Sequence, residues 1–159
     1  MRHIVGVADM KIATAPTDEV VTHALGSCLG IAVWDPEVKV GGILHAMLPS
    51  ASVSPDKAQA NPYMFVDVGT PCLFKAIYAA GGKKERLVVK VAGGAAIGKS
   101  NQDFFAIGRR NVVMLRKLFW KNGIIIAGQD VGGTMARTMY LEIATGRTWL
   151  QSNGREWDL

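Results

Sequence analysis

No window of this chain reaches the roughly 18 uninterrupted apolar residues that a membrane-spanning helix needs, so no helical insertion into a membrane is expected. Cysteine is scarce, with two residues in 159, which argues against a disulfide framework and for a reducing, cytoplasmic setting. The start, Met1-Arg2-His3-Ile4-Val5-Gly6, lacks an apolar core followed by a small-residue cleavage site and does not read as a signal peptide. Dense basic runs are missing as well. The formal net charge is +5, yet Lys83-Lys84, Arg109-Arg110 and Arg116-Lys117 are scattered pairs without basic–aromatic alternation. That pattern speaks against nucleic acid and suits a solvated face or an acidic protein partner. Neither a metal nor a cofactor is expected. No repeat, low-complexity tract or linker breaks the chain.

What is present is a core. A hydrophobic content of 49% with 19% charged residues places residues 1–159 as one globular domain. Short runs rich in β-branched residues predict strands over about 3–13, 19–27, 29–34, 38–48, 86–92, 124–129, 137–143 and 147–151. Asp35-Pro36 reads as a turn, and Gly41-Gly42 as a bulge in the fourth of these strands. Two helices are predicted. The first lies within 64–80, with Thr70-Pro71 as an internal N-cap and Cys72 in the first turn. The second covers about 105–121, carrying Val112, Val113, Leu115, Leu118 and Phe119 among Arg109, Arg110, Arg116, Lys117 and Lys121, with Asn122-Gly123 as its end. Between strand and helix, 49–62 is small, polar and proline-bearing, the longest loop expected. The tail 153–159 carries no element signal and reads as flexible.

Chemistry points to Leu25-Gly26-Ser27-Cys28-Leu29-Gly30, where a cysteine sits on a glycine-flanked turn between two strand-like runs. A thiol so presented is a candidate nucleophile, provided a base lies nearby. His45, seventeen positions on, is the candidate base. His23 falls on the wrong strand face. Spacing alone leaves an ordinary buried cysteine open, because free cysteine packs as a small apolar residue. Cys72, beside Leu73 and Phe74, reads as structural.

A competing motif is Gly93-Gly94-Ala95-Ala96-Ile97-Gly98-Lys99-Ser100, which satisfies the phosphate-loop pattern after a strand. Its context is poor. Ser100-Asn101-Gln102-Asp103 looks like loop, Gly108 interrupts the next helical stretch, and mostly hairpin-connected strands precede the motif. A nucleotide-binding protein built on residues 93–100 is therefore the weaker alternative.

Taken together, the blocks resemble the CheD family of chemoreceptor glutamine deamidases. The resemblance is carried by Thr22, by Leu25-Gly26-Ser27-Cys28-Leu29-Gly30-Ile31-Ala32, and by Gly41-Gly42 with His45-Ala46-Met47-Leu48-Pro49. It continues in Val66-Asp67, Gly93-Gly94-Ala95, Ile107-Gly108-Arg109-Arg110-Asn111-Val112 and Asp130-Val131-Gly132-Gly133. Gln129 stands where an acidic residue is expected and Ala136 where a glycine is, which bears on substrate contacts rather than chemistry.

The resemblance implies an α+β fold, a β-sandwich-like core of mixed and antiparallel sheets with two to three helices packed outside. It implies a hydrolase that converts glutamines of methyl-accepting chemotaxis receptors to glutamate, releasing ammonia. Cys28 would be the nucleophile, His45 the base and Thr22 the group orienting it. A CheC-type phosphatase is the implied protein partner, and a binding-only regulator of that phosphatase is an alternative role. Chemistry adds that an imidazole beside Cys28 should draw out the thiolate at neutral pH. The turn Gly26, Ser27, Cys28 and Gly30 should supply backbone N–H groups to a developing oxyanion.

Overall fold

The computed structural model describes residues 1–96 and 106–159. Two five-stranded sheets face each other. One has the strand order β1 (Arg2–Val5), β3 (Glu19–Leu25), β8 (Arg137–Glu142), β9 (Thr148–Ser152), β10 (Arg155–Asp158). The other runs β2 (Asp9–Ala13), β5 (Val40–Ala46), β4 (Leu29–Asp35), β6 (Val88–Gly93), β7 (Gly128–Val131). The α+β expectation holds, with each sheet mixing parallel and antiparallel pairs.

Period-two alternation explains why β4 and β5 are buried along their whole length. Leu29, Ile31, Val33 and Leu44 pack beneath two helices, α2 (Val66–Ala79) and α3 (Ile107–Asn122). On the opposite face, Ala32, Trp34 and Ile43 meet Val20, Leu25, Met139 and Leu141 of the other sheet. The second sheet is thus the middle layer, covered by helices on one side and by the first sheet on the other.

Several expectations need correction. The strand predicted over 3–13 is two strands in different sheets. Gly6-Val7-Ala8 turns between them, with Ala8 at φ +56° and the Asp9 carboxylate accepting the Gly6 N–H at 3.2 Å. Gly41-Gly42 forms no bulge, because β5 stays in continuous register with β4. Those glycines instead permit close approach: a Cβ on Gly42 would lie 2.6 Å from the Lys11 carbonyl oxygen. The irregularity falls in β3, between Thr22 and Leu25, where Ala24 has φ +57°.

The 49–62 segment is not plain loop. It holds a 3₁₀ turn at Ala51–Val53 and a short helix, α1 (Pro55–Ala60). Helix α2 starts at Val66 rather than at Thr70-Pro71, because the Leu48 and Pro49 carbonyls accept its first N–H groups. Cys72 consequently sits mid-helix, its Sγ donating to the Val68 carbonyl at 3.3 Å. Val113 and Tyr78 are exposed. Residues 124–127 precede β7 rather than forming it. The tail is ordered as β10, turned back onto β9 at Asn153-Gly154, both with positive φ. Residues 97–100 of the phosphate-loop match, and the expected helix start at 105, lie outside the described residues.

Candidate active site

Thr22 and His45 come from opposite sheets and meet in the seam. Thr22 lies on β3, beside Val5 in the parallel β1–β3 register, while His45 lies on β5 opposite Gly30 of β4. Both are fully enclosed. The Thr22 Oγ1 is 2.8 Å from the Val5 carbonyl oxygen and 2.7 Å from His45 Nδ1.

These two distances settle a tautomer. A hydroxyl has one proton, and the Val5 carbonyl can only accept it. Thr22 therefore donates to Val5 and accepts from Nδ1–H, which leaves the lone pair of the neutral ring on Nε2. Among the described residues that buried Nε2 has no hydrogen-bond partner.

Cys28 sits on the link between the sheets, after β3 and just before β4. Gly30 is directly opposite His45, and Cys28 precedes that ladder by one residue. Cys28 and His45 are thus brought to the same end of the β4–β5 pair. No hydrogen bond joins them in this structure.

Burial works against the expected ion pair. It pushes the half-buried Cys28 thiol above its ordinary value. It pushes His45 below 6.5, with the Asp9 carboxylate opposing only weakly. Each shift favours the uncharged form.

The turn is held by its carbonyls. Gly26 C=O accepts the Ala95 N–H at 2.9 Å, Cys28 C=O accepts the Gly94 N–H at 2.9 Å, and Ser27 C=O accepts Asn111 Nδ2 at 2.9 Å. Among the described residues, the N–H groups of Gly26, Ser27 and Cys28 donate to no neighbouring chain group. Gly93, at φ +107°, is required here: a Cβ would lie 2.2 Å from the Cys28 carbonyl oxygen. Of the turn residues expected to serve an oxyanion, Gly26 and Ser27 flank Cys28, whereas Gly30 lies inside β4. A Cβ on Gly30 would crowd Leu25 at 2.7 Å and Met139 at 2.9 Å, so that glycine serves packing between the sheets.

One residue whose role the sequence did not reveal is Asn111. Fully buried on α3, it donates through Nδ2 to the Ser27 carbonyl at 2.9 Å and the Met47 carbonyl at 3.0 Å. It thereby ties the Cys28 turn to the strand end two residues beyond His45. Its Oδ1 is buried without a partner among the described residues. The available signal was polarity in the wrong place, since Asn111 shares the buried α3 face with Leu115 and Phe119. A second support is Arg137, buried and bonded to the Gly93 and Gly132 carbonyls and to Asp130. Both departures noted in the sequence fall outside the seam: Gln129 Oε1 accepts from Arg116, and the Ala136 carbonyl accepts from Ser152.

The fold and site define an α+β domain with a cysteine turn and an oriented neutral histidine where two sheets join. The family described as CheD, chemotactic sensory transduction, matches residues 47–152. A probable chemoreceptor glutamine deamidase CheD 1 of Syntrophus aciditrophicus is 49% identical over 95% of this chain and 94% of its own. A probable chemoreceptor glutamine deamidase CheD of Solibacter usitatus is 47% identical over 98% and 92%, and one of Anaeromyxobacter dehalogenans, CheD 2, is 40% identical over 93% and 92%. The chain belongs to the CheD family of chemotaxis proteins. No described helix is long and apolar enough to cross a membrane.

Proposed function

We propose that this protein hydrolyses the side-chain amide of glutamines on chemoreceptors, with Cys28 as nucleophile, His45 as acid–base and Thr22 as its orienting group. The observation that carries the reading is the relay Val5 C=O, Thr22 Oγ1, His45 Nδ1, which leaves Nε2 as a free, buried base beside the Cys28 turn. The names of the relatives supply the substrate class.

From a neutral pair, the thiol must lose its proton as it attacks. His45 Nε2 takes that proton while Sγ bonds to the amide carbon, and the carbonyl electrons move onto oxygen. The N–H groups around Cys28 stabilise that oxyanion. When the tetrahedral species collapses, His45 returns the proton to nitrogen and ammonia leaves, giving a thioester. Water then attacks the thioester carbon, again giving its proton to Nε2, and the thiol is released with the new carboxylate. Through both halves Thr22 accepts from Nδ1–H and holds the ring's tautomer. A neutral hydroxyl stabilises imidazolium less than a carboxylate does, which suits a ring kept neutral at rest.

The test is to incubate the protein with a receptor cytoplasmic fragment and map amide-to-acid conversion by peptide mass spectrometry. Conversion at defined glutamines that disappears in Cys28→Ala supports the proposal. Conversion that persists in Cys28→Ala, or none at all with wild type, overturns it.

A further inference from the structure

The carbonyl that Asn111 holds belongs to the peptide that carries the Cys28 N–H. A trans peptide points its C=O and its N–H in opposite directions, and no cis bond occurs among the described residues. Asn111 Nδ2 donates to the Ser27 carbonyl at 2.9 Å, which turns that oxygen toward α3. The Cys28 N–H therefore points the other way, off α3. One peptide back, the Ala95 N–H meets the Gly26 carbonyl at 2.9 Å and so fixes the direction of the Ser27 N–H. One peptide on, the Gly94 N–H meets the Cys28 carbonyl at 2.9 Å. Three successive peptides are thus locked by their oxygens. Successive N–H groups exposed by a turn in this way make an anion-binding concavity.

Two further observations agree. The Ser27 and Cys28 N–H groups donate to no chain group among the described residues. Burial raises the Cys28 thiol pKa, and against it works a hydrogen bond from that residue's own N–H, so thiol and N–H lie on one side of the turn. Of the three clamps, two come from backbone N–H groups and Asn111 alone acts through a side chain. Its second donated bond, to the Met47 carbonyl at 3.0 Å, fixes the amide in place. Its Oδ1 is buried with no partner among the described residues, which costs stability. Leucine, with the same branching and no polar atom, would fill the place without that cost. What leucine could not do is aim the Ser27–Cys28 peptide.

We infer that Asn111 is the positioning residue of the oxyanion site: by holding the Ser27 carbonyl it aims the Cys28 N–H at the substrate oxygen that becomes negative when Sγ attacks. The Ser27 N–H stands beside it as a second donor. This role rests on the deamidase reading for its reaction, and it adds to that reading the group that sets the donor's direction. Asn111 touches no reacting atom and acts through one peptide plane. Preorganised donors are effective because they need no reorientation as charge develops, and deleting one lowers kcat about 10²–10³-fold. A donor that is loosened and not deleted loses less, about 50-fold.

The experiment compares wild type with Asn111→Ala and with Asn111→Leu, which keeps the side chain's shape and removes both donors. Each is measured for deamidation of a receptor cytoplasmic fragment, for alkylation of Cys28 by iodoacetamide, and for binding of a receptor peptide whose glutamine amide is replaced by an aldehyde. In alkylation, sulfur displaces iodide from carbon and no oxygen gains charge. In the aldehyde adduct, sulfur bonds to the carbonyl carbon, the thiol proton passes to its oxygen and nothing leaves, so that oxygen occupies the oxyanion site. Both variants should lower kcat about 50-fold with KM little changed, raise the aldehyde Kd by a similar factor, and leave alkylation within about twofold of wild type. Alkylation that falls in step with kcat would overturn the proposal, because Asn111 would then hold the thiol and not the N–H. Unchanged kcat and Kd in either folded variant, with Cys28→Ala inactive, would also overturn it while leaving deamidation standing. No deamidation by wild type, with the aldehyde Kd still raised in both variants, would instead overturn the reaction and retain the positioning role.

Discussion

Strand β4 ends in buried polar structure on both sides, and the two ends are built on opposite terms. At its far end Asp35 is fully buried and saturated. Its carboxylate accepts the Glu37 N–H at 2.9 Å, the Lys83 N–H at 2.9 Å, and Arg86 Nε and Nη2 at 3.0 and 2.9 Å. Despite burial, these donors hold its pKa down to about 2. At the near end, His45 Nε2 and Asn111 Oδ1 are buried with no partner among the described residues. Buried polar groups are normally satisfied, because an unmade hydrogen bond costs more than a made one contributes. The Asp35 end follows that rule and fastens a hairpin to the segment after α2. The Cys28 end departs from it, leaving two buried polar groups open among the described residues.

The comparison breaks most sharply at the open end. Cys28→Ala and His45→Ala should each lower receptor deamidation by at least about 10³-fold, with the double variant no worse than either, because the two act in one step. Their thermal stability should stay near wild type. Appreciable activity in either single variant ends the assignment.

At the saturated end the effect should fall on stability alone. Asp35→Asn should lower the unfolding midpoint, since it removes the buried carboxylate that Arg86 and the Lys83 and Glu37 N–H groups meet and leaves Arg86 only the exposed Glu37 at 3.3 Å, while turnover of the folded protein is unaffected. The acid dependence has a definite sign. A carboxyl whose pKa is depressed by folding contributes its full stability above the unfolded value of about 3.9 and loses it as pH falls through about 2. Urea melts between pH 5 and 2 should show that loss in wild type and a smaller one in Asp35→Asn. An equal pH dependence in both would show that Asp35 is not the group responsible.

Asn111→Ala should affect both quantities, because it belongs to fold and site together. Leaving the Ser27 and Met47 carbonyls unpaired should cost about 2 kcal/mol. Freeing the Cys28 turn relative to β5 should lower kcat about 50-fold, with KM little changed. A stability loss with kcat intact would make Asn111 purely structural. Thr22→Val is milder still: it removes orientation and not a reacting group, so kcat should drop about tenfold, and Thr22→Ser should recover most of it.

The smallest effect is the most diagnostic of charge state. Catalysis by a neutral pair requires His45 unprotonated, and its pKa is pushed below 6.5, while thiol ionisation is pushed above 9.0. The profile of kcat/KM against pH should therefore be flat within about twofold between these values, falling only outside them. An acid limb above 6.5 would indicate that burial does not control the histidine.

Much of this protein is written in local pattern. The short apolar run of residues 29–34 announces a strand, and Asn122-Gly123 announces the left-handed end of α3, where Gly123 has φ +67°. The sequence also marked Cys28 and His45, because a thiol between glycines and a histidine in an apolar strand are chemically conspicuous. Other features were not legible. The split at Gly6-Val7-Ala8 depends on the chain crossing between sheets, and the early start of α2 depends on carbonyls at Leu48 and Pro49 reaching its N–H groups.

What residue types alone determined is the inventory: a thiol, a titratable ring, a hydroxyl and turns able to carry them. What only tertiary structure decided is their state. Thr22 and His45 lie 23 positions apart on different sheets, and only the packing of those sheets sets the 2.7 Å bond that places the proton on Nδ1. Burial in the same seam then withdraws charge from both Cys28 and His45. Solvation is a property of the folded surroundings, so no pattern of neighbours along the chain could have specified it.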